Sequence, residues 1–513
     1  MRAVRTFTPS CFLAALLGVA ALAACSDSEP APPWYPPVGV VDGSEDEAVF
    51  APGQVLTYDV TMVQEDWDYL EAHGIGEEWK PASLVVKGLP GGPLDLGQVG
   101  FRHKGSYGTL GTCWGPPTLD EDGDPGVDTL DEMRSRPRLD EPHCRKISYK
   151  FKFNETRLRG LKKLNLHAGS RDPSMLREML AYGAYFDAGV DAPRTAPARL
   201  LINGAFMGLF IAVEDVDDRY ARNHYPEAAG GNLYKEVWPN PEAHRILGDE
   251  AFTAYVTSGQ EEGDDPADFL ALTAAVASAI EEGSTAPLSA HVDVDELLRY
   301  MAVDRAIENW DGVTALYTCG EPGCWSMLPH NYYWYRDTAT DGRFHLVPWD
   351  MDNTFPWCDP YVERCGYGAE TPLPNWNVKP AGCAPVAVWG NAWVVPSGCD
   401  PFLGLLAATE WERFEALGRG LAAGPLRATV LQRKATAWAR LIEPIVEEDP
   451  VIDLETWRRE RDVLLHQLLP GVAGELEELL EEGYRTQRSA GNMPLSDGTS
   501  GHDPRGSAPK QQN

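Results

Sequence analysis

Positive charge is scarce in this sequence. Its 44 Lys and Arg residues stand against 77 Asp and Glu residues, which gives a formal net charge of −33 at pH 7. Proteins that bind DNA or RNA neutralise phosphates with clustered basic residues, so this balance argues against a nucleic-acid partner. It also argues against attachment to an anionic membrane by charge alone.

Several catalytic signatures are absent as well. The sequence has no GxSxG nucleophile elbow and no HExxH zinc motif, which excludes two common classes of hydrolase. It has no GxxxxGK[ST] phosphate loop and no HRD or DFG set, so it is neither a P-loop enzyme nor a conventional protein kinase. No two CxxC pairs stand at zinc-finger spacing, which argues against a structural zinc site.

Long apolar runs are confined to the N-terminus. Two arginines precede an apolar run over residues 11–24, which is too short to span a bilayer and is typical of a signal peptide. Small residues precede Cys25, so we expect residues 1–24 to be a lipoprotein signal peptide and Cys25 to be lipidated. The alternative is an ordinary secretory signal that is cleaved nearby. Ser26 favours the outer membrane where the cell has one, so we expect an exported, lipid-anchored envelope protein.

The rest of the chain divides into three parts by composition. Residues 25–49 are rich in Pro, Ser, Asp and Glu and predict a flexible linker. Residues 50–485 have the apolar and aromatic content of a folded body with room for two or three lobes. Residues 486–513 are polar and predict a disordered tail.

Eight of the ten cysteines follow Cys25. An even number of cysteines in an exported chain predicts disulfide bonds. Pairing between neighbours in the sequence is the simplest arrangement, although the sequence does not prove it. The predicted pairs are Cys113–Cys144, Cys319–Cys324, Cys358–Cys365 and Cys383–Cys399.

The order of the periodic segments predicts the fold class. Alternating runs predict strands, and an Asn203–Gly204 turn predicts a hairpin in the first half of the chain. A second hairpin is predicted around residues 332–347, within a half that is otherwise helical in pattern. The sequence therefore predicts an α+β fold, with a strand-rich N-terminal lobe over about residues 50–215 and a helix-rich C-terminal lobe over about residues 216–485.

Two carboxylates follow the second predicted hairpin. Asp350 and Asp352 lie two positions apart, directly after a strand, and Asn331 opens the preceding strand of the same hairpin. Carboxylate and amide oxygens are typical ligands of Mg²⁺ or Mn²⁺ at phosphate-binding sites. The alternative is a turn with solvated acids and an ordinary residue at the start of a strand.

Other candidate residues are one more acid, a group of lysines and their potential partner. Asp311 follows the end of a predicted helix, where it can accept a proton from a hydroxyl or simply terminate the helix. Lys146, Lys150 and Lys152 share one face of a predicted strand, which either meets phosphates or forms a solvated sheet edge. Glu178 lies in the predicted helix over residues 174–187, where it can pair with one of these lysines or lie on the helix surface.

An acidic loop precedes these lysines and resembles a calcium-binding loop. Its acids fall at positions 1, 3, 5, 9 and 12 of such a loop, but proline replaces the expected glycine and Asp replaces the final Glu. Ca²⁺ binding and an ordinary acidic loop are both open here. The residues are Asp120, Asp122, Asp124, Asp128 and Asp131.

Several segments occur in a fixed order between about residues 55 and 480. They are residues 102–106 (RHKGS), 146–153 (KISYKFKF), 163–166 (KLNL), 172–178 (DPSMLRE), 190–194 (VDAPR), 202–210 (INGAFMGLF), 309–312 (NWDG), 331–337 (NYYWYRD) and 347–355 (VPWDMDNTF). In this order they resemble the CotH (spore coat protein H) family of atypical kinases. The resemblance implies a much altered, two-lobed protein-kinase-like fold.

The resemblance also implies which groups bind ATP and metal. Asp350 looks like the metal-binding acid that replaces the DFG aspartate, with Asn331 and Asp352 as further metal ligands. Asp311 resembles the catalytic acid, although cysteines and a long insertion separate it from Asn331. Lys146 and Lys150 are the candidates for the lysine that contacts phosphate, and the implied helix partner of that lysine is Glu178. Arg102, in the first motif, is a further candidate for nucleotide binding.

The resemblance therefore implies phosphoryl transfer from ATP, with Mg²⁺ or Mn²⁺, to a Ser or Thr hydroxyl of a protein at the cell envelope or spore surface. The acidic charge would suit a basic or Ser-rich acceptor. The alternative is a surface or spore-coat binding protein that uses the same scaffold without catalysis.

Overall fold

The structure is a computed structural model that describes residues 45–73, 78–105, 113–114, 138–139, 144–263, 265–318, 329–339, 342–355, 358–359, 364–365, 375–389 and 392–486. The predicted signal peptide with Cys25, most of the predicted linker and all of the predicted tail except Thr486 lie outside these residues. So does the acidic loop with Asp120, Asp122, Asp124, Asp128 and Asp131.

Seven strands in the first half of the chain form a closed barrel. Their order around the barrel is β1-β2-β3-β4-β5-β7-β6, and parallel pairing of the first and sixth strands closes it. The other neighbours in the barrel are antiparallel. The strands are β1 (Leu56–Thr61), β2 (Lys80–Lys87), β3 (Leu94–Lys104), β4 (Ser148–Phe153), β5 (Lys163–His167), β6 (Thr195–Ile202) and β7 (Ala205–Glu214), and helix α1 (Gln64–Ala72) follows the first of them.

Alternation along the strands divides the barrel into an apolar interior and a polar outer face. Tyr58, Phe101 and Phe151 are completely buried and belong to one aromatic and aliphatic core. Along each strand, the residues that alternate with these apolar side chains point outward. Register pairs Lys104 with Ser148 and Arg102 with Lys150. The barrel therefore carries a row of polar residues on the outside of β3, β4 and β5.

The predicted β6–β7 hairpin is confirmed. Asn203 and Gly204 both have positive φ, 50° and 81°, as a tight two-residue hairpin turn requires. The carboxamide oxygen of Asn203 also accepts a hydrogen bond from the N–H of Met62 at 2.9 Å. That contact ties the turn to the end of β1.

Helix α2 (Arg177–Asp187) packs into the second and larger core. The sequence predicted this helix over residues 174–187, whereas in the structure it begins at Arg177. Asp172 organises this start, since its carboxylate accepts hydrogen bonds from the N–H groups of Ser174 and Arg177 at 3.0 and 2.8 Å. The guanidinium of Arg177 pairs with the same carboxylate at 2.9 Å.

The middle of the chain places the second predicted hairpin in a four-stranded sheet of order β12-β11-β8-β9. The two hairpin strands are confirmed, and the two added strands were not predicted. The elements are α3 (Asp218–His224), β8 (Asn232–Lys235), α4 (Pro241–Ser258), β9 (Gln260–Glu262), α5 (Ala267–Glu282), α6 (Val294–Ala306), β10 (Leu316–Thr318), β11 (Tyr332–Arg336) and β12 (Phe344–Pro348).

The last part of the chain is mainly helical, as expected. Within the residues that the structure describes, no helix is both long and apolar enough to cross a membrane. The helices are α7 (Pro401–Thr409), α8 (Trp411–Ala423), α9 (Ala428–Val446), α10 (Leu454–Val463) and α11 (Val472–Glu482), with a π-helical turn at Leu464–Leu468. The short strands are β13 (Cys358–Asp359), β14 (Arg364–Cys365), β15 (Val378–Lys379), β16 (Val386–Trp389), β17 (Ala392–Val395) and β18 (Arg485–Thr486).

Strands in the first half and helices in the second make this an α+β fold, as predicted. Two of the four predicted disulfides are also confirmed, Cys113–Cys144 and Cys383–Cys399. In a third pair, the backbones of Cys358 and Cys365 lie opposite each other in β13 and β14. The fourth, Cys319–Cys324, lies outside the described residues.

Candidate active site

Asp350 lies directly after β12 in a left-handed backbone conformation, with φ 55° and ψ 63°. Its N–H donates a hydrogen bond to the hydroxyl of Tyr182 on α2, at 3.0 Å. Asn331, just before β11, is left-handed too, with φ 57°, and its carbonyl oxygen accepts a hydrogen bond from the N–H of Trp349 at 3.0 Å. Positive φ is uncommon outside glycine and recurs at functional sites.

The structure brings together five residues that the sequence singled out: Asp311, Asn331, Asp350, Asp352 and Glu178. Burial, with the charges of Asp350 and Glu178, raises the pKa of Asp352 well above its usual value. Burial, with the charge of Asp350, likewise raises the pKa of Glu178. The charge of Asp350 thus opposes ionisation of both neighbouring carboxylates.

Asp311 joins this group from the loop after α6. Burial, with the charge of Asp350, raises the pKa of Asp311 to about 6, while His330 and a hydrogen bond with Asn331 limit the rise. Its N–H also donates to the side chain of Asn309 at 3.3 Å. A carboxylate whose pKa lies near neutrality is suited to accept a proton in catalysis.

Asp350 differs from the other acids because positive groups surround it. Burial alone would raise the pKa of Asp350, but Lys104, Lys235 and Arg171 hold it below its usual value. Asp350 is therefore ionised at neutral pH. A bound divalent cation would lower the repulsion between this ionised carboxylate and the neighbouring carboxylates, whose pKa values are raised.

Lys104, at the end of β3, is one of the basic residues of the site that were not predicted from the sequence. Burial lowers the pKa of Lys104, while the charges of Asp350 and Glu178 oppose that shift. Its ammonium lies 5.1 Å from the ring centre of Trp349. The sequence did contain a signal for this role. Lys104 belongs to the RHKGS segment and lies two residues after Arg102, on the same face of the strand.

The two lysines proposed from the sequence have acidic partners of their own. Lys146 precedes β4 and is buried, and its ammonium lies 3.3 Å from the carboxylate of Asp449. Burial lowers the pKa of Lys146 against the effect of Asp449. Lys150 lies on the outer face of β4, 2.6 Å from the carboxylate of Asp215. Lys150 also acts electrostatically on Lys104 and His167, whose pKa values it lowers.

Arg102, a candidate for nucleotide binding, and Glu178, a candidate partner of a strand lysine, contact Trp79 and His167 in the structure. The Arg102 guanidinium lies over the ring of Trp79, 4.7 Å from its centre. The Glu178 carboxylate lies 2.7 Å from Nδ1 of His167 at the end of β5. Burial, with Lys104 nearby, lowers the pKa of His167 to about 3, so this imidazole is neutral at neutral pH.

The residues present fit a divalent cation bound with phosphates. Asp350, Asp352 and Asn331 offer the oxygen ligands that Mg²⁺ and Mn²⁺ prefer. Oε2 of the buried Glu178 has no hydrogen-bond partner, which is unusual for a buried carboxylate oxygen. The site thus has ligands of the right kind and an unsatisfied acceptor beside them.

Comparison with known proteins identifies the family of this chain. The sequence profile of the family described as CotH kinase protein matches residues 141–457, more than half of the chain. The chain belongs to the CotH kinase family. The matched range includes β4, α2 and the hairpin that carries Asn331 and Asp350.

A curated relative supports the assignment. The inner spore coat protein H of Bacillus subtilis (strain 168) is 28% identical over 224 residues, which are 41% of this CotH family chain and 55% of the relative. The chain thus spans about half the length of that relative.

Proposed function

We propose that this CotH family protein transfers the γ-phosphoryl group of ATP to a Ser or Thr hydroxyl of a protein. The observation that carries the proposal is the meeting of Asp311, Asn331, Asp350 and Asp352 beside Lys104. These residues come from distant parts of the chain. Phosphoryl transfer depends chiefly on positioning and on stabilising charge, which such a group can supply.

Asp350, Asp352 and Asn331 would hold the divalent metal. Bound Mg²⁺ or Mn²⁺ would neutralise charge on the phosphate oxygens of ATP. Asp350 is suited to be the main ligand, since it is the acid of the group whose pKa is lowered. Its left-handed backbone and its hydrogen bond to Tyr182 fix its direction before any ligand binds.

Lys104 would contact the phosphates, with Lys150 as a second positive charge. Lys104 lies at the end of β3, where its charge acts on both Asp350 and Glu178. Lys150 is engaged with Asp215 at 2.6 Å. Lys146 is less suited to this role because it is buried against Asp449.

Asp311 would act as the catalytic base. The acceptor oxygen forms a bond to the γ-phosphorus while the bond from that phosphorus to the β,γ-bridging oxygen breaks, which releases ADP. The hydroxyl proton passes to the carboxylate of Asp311. Because the pKa of Asp311 is raised to about 6, the group is mostly ionised at pH 7 and still basic enough to accept that proton.

The place of action is part of the same proposal. The relative is named as an inner spore coat protein, which supports a role at a spore surface or cell envelope. A lipid on Cys25 would hold the protein at such a surface. The net charge of −33 would favour a basic or Ser-rich acceptor protein.

Transfer of labelled phosphate tests the proposal. The purified protein is incubated with γ-labelled ATP and Mn²⁺ or Mg²⁺, with and without a basic Ser-containing acceptor. We expect label on protein in the wild type, and its loss in Asp350→Ala and Asp311→Asn. Asp59→Ala is the matched control, since Asp59 pairs with Lys87 on the barrel and its loss should leave labelling unchanged.

Absence of label in the wild type, with no rise in melting temperature on adding ATP and metal, would rule out the kinase function. That result would favour a non-catalytic surface-binding protein. Label that persists in Asp350→Ala would contradict the proposed metal site instead.

A further inference from the structure

Three side chains of different chemistry meet at one point of the site. His167 at the end of β5, Glu178 on α2 and Asp350 after β12 each offer a ligand atom, and these atoms all lie within 4.8 Å of one another. The set contains a nitrogen donor, unlike the all-oxygen set of Asp350, Asp352 and Asn331. The side chains of His167 and Glu178 are 5% and 3% exposed.

Unsatisfied polar atoms provide a second observation. Nε2 of His167 and Oε2 of Glu178 are both buried, and neither has a hydrogen-bond partner. A buried polar atom without a partner costs free energy and calls for an explanation. Oε2 belongs to the same carboxylate whose Oε1 meets Nδ1 of His167, so an ion bound between these two side chains could take Oε2 as a further ligand, with the Asp350 carboxylate close by.

We propose that His167, Glu178 and Asp350 bind one metal ion through an imidazole nitrogen and two carboxylates, and that this site prefers a first-row transition ion such as Mn²⁺ to Mg²⁺. The inference rests on the proposed function, because Asp350 serves both. It adds a ligand, His167, and a selectivity that oxygen ligands alone do not give. Imidazole suits transition ions, whereas Mg²⁺ selects oxygen.

The distances support this reading. Two ligand atoms that each lie about 2.1 Å from one ion, at right angles, are about 3 Å apart. Nδ1 of His167 and Oε1 of Glu178 are 2.7 Å apart in their hydrogen bond. An ion could therefore replace the hydrogen bond with a shift of a few tenths of an ångström, and Asp350 would complete the set.

The three ligands are also held by rigid elements. His167 is the last residue of a barrel strand that pairs on both sides, with β4 and with β7. Glu178 lies in the first turn of α2, which the capping contacts of Asp172 fix. Asp350 is held through Tyr182. Preorganised ligands of this kind lower the cost of binding an ion.

Pulsed electron paramagnetic resonance of Mn²⁺ tests the proposal without any nucleotide. The purified full-length chain is stripped of metal and loaded with less than one equivalent of Mn²⁺. Electron spin echo modulation then reports whether an imidazole nitrogen is bonded to the ion. We expect nitrogen modulation in the wild type and its loss in His167→Asn.

His330→Asn is the matched control, since His330 is a different histidine that lies near Asp311, and its loss should leave the nitrogen signal in place. Titration with Mn²⁺ in competition with Mg²⁺ should show a loss of Mn²⁺ affinity of about tenfold or more in His167→Asn. Mg²⁺ affinity should change less. A melting curve of each variant separates loss of a ligand from loss of the fold.

The outcomes distinguish this inference from the proposed function. Mn²⁺ that binds the wild type with no nitrogen modulation overturns the inference and leaves the kinase proposal standing, and this result requires no variant. Modulation that survives in His167→Asn and disappears in His330→Asn overturns it too. A wild-type protein that binds no Mn²⁺ overturns the inference, and the labelled-phosphate assay, which supplies ATP together with the metal, then judges the kinase proposal separately.

Discussion

The main-chain N–H of Asp350 donates a hydrogen bond to the hydroxyl of Tyr182, 3.0 Å away. This contact joins the turn after β12 to the middle of α2, and it holds an aspartate whose backbone is left-handed. Such a conformation costs about 1–3 kcal/mol outside glycine and persists only where the surroundings impose it. Tyr182 is one of the groups that impose it here.

Tyr182→Phe should therefore disturb Asp350 without touching its carboxylate. Because the N–H of Asp350 loses its acceptor, the free energy of unfolding should fall by about 1–3 kcal/mol. Mn²⁺ affinity should fall as well, since the turn is no longer fixed. Urea denaturation and Mn²⁺ titration measure the two effects.

Tyr335→Phe is the matched control for this change. Its hydroxyl also accepts a main-chain hydrogen bond, from Gly231 at 3.3 Å, but it lies at the far end of β11 from Asn331. This variant should lose stability while keeping its Mn²⁺ affinity. Equal loss of affinity in both variants would show that Tyr182 has no special relation to the metal site.

The lysine that contacts phosphate can be identified by comparing two substitutions. Lys104→Met should lower phosphoryl transfer on the order of 100-fold, because it removes a positive charge aimed at the site. Lys150→Met should cost less than about tenfold, since Lys150 is paired with Asp215. Steady-state rates at saturating ATP, with KM for ATP, give the comparison. The reverse order of effects would assign the phosphate contact to Lys150.

Lys146 should matter for stability rather than for transfer. Lys146→Met leaves the buried Asp449 carboxylate without its cation, and removal of one partner of a buried ion pair costs about 3 kcal/mol or more. Asp449 keeps hydrogen bonds from the N–H groups of Leu209 and Val451. The free energy of unfolding should therefore fall by about 3 kcal/mol rather than by more. Denaturant unfolding measures it. A variant that stays stable but loses most of its phosphoryl transfer would instead show that Lys146 acts in the active site.

The sequence predicted local features of the fold well. The Asn203–Gly204 turn and the hairpin before Asp350 depend on neighbours in the chain, so pattern and turn chemistry sufficed. Closure of the barrel by parallel pairing of Leu56 with Ala198 was not predicted. Pairing between strands so far apart in the sequence leaves no local signal.

For the site, the acids were predictable and their partners were not. Asp350, Asp352 and Asn331 stand out because polar residues interrupt an aromatic run. Lys146 seemed equivalent to Lys150 by alternation, but the strand begins only at Ser148, so Lys146 leaves the outer face. The roles of Lys104 and His167 depend on how three strands and α2 come together, which spacing along the chain does not reveal.

A pH effect is expected from His345, away from the active site. Its Nδ1 lies 3.1 Å from the carboxylate of Glu296, and its Nε2 lies 3.1 Å from that of Asp337. Burial opposes the charge of His345, but hydrogen bonds with Asp337 and Glu296 raise its pKa to about 10. A raised histidine pKa means that the folded state holds the proton more tightly than the unfolded state does.

The stabilisation from His345 should therefore be fully present below about pH 6.5, the usual pKa of histidine, and be lost as the pH rises towards 10. Urea unfolding between pH 6 and 10 should show a fall in the free energy of unfolding that is smaller in His345→Gln. Other groups titrate in this range, so the difference between the two proteins is the quantity to compare. His244→Gln, at a partly exposed histidine of α4 that pairs with Asp249, controls for loss of a histidine. Parallel pH curves for the wild type and His345→Gln would show that the two carboxylates do not raise the pKa of His345 in the folded protein.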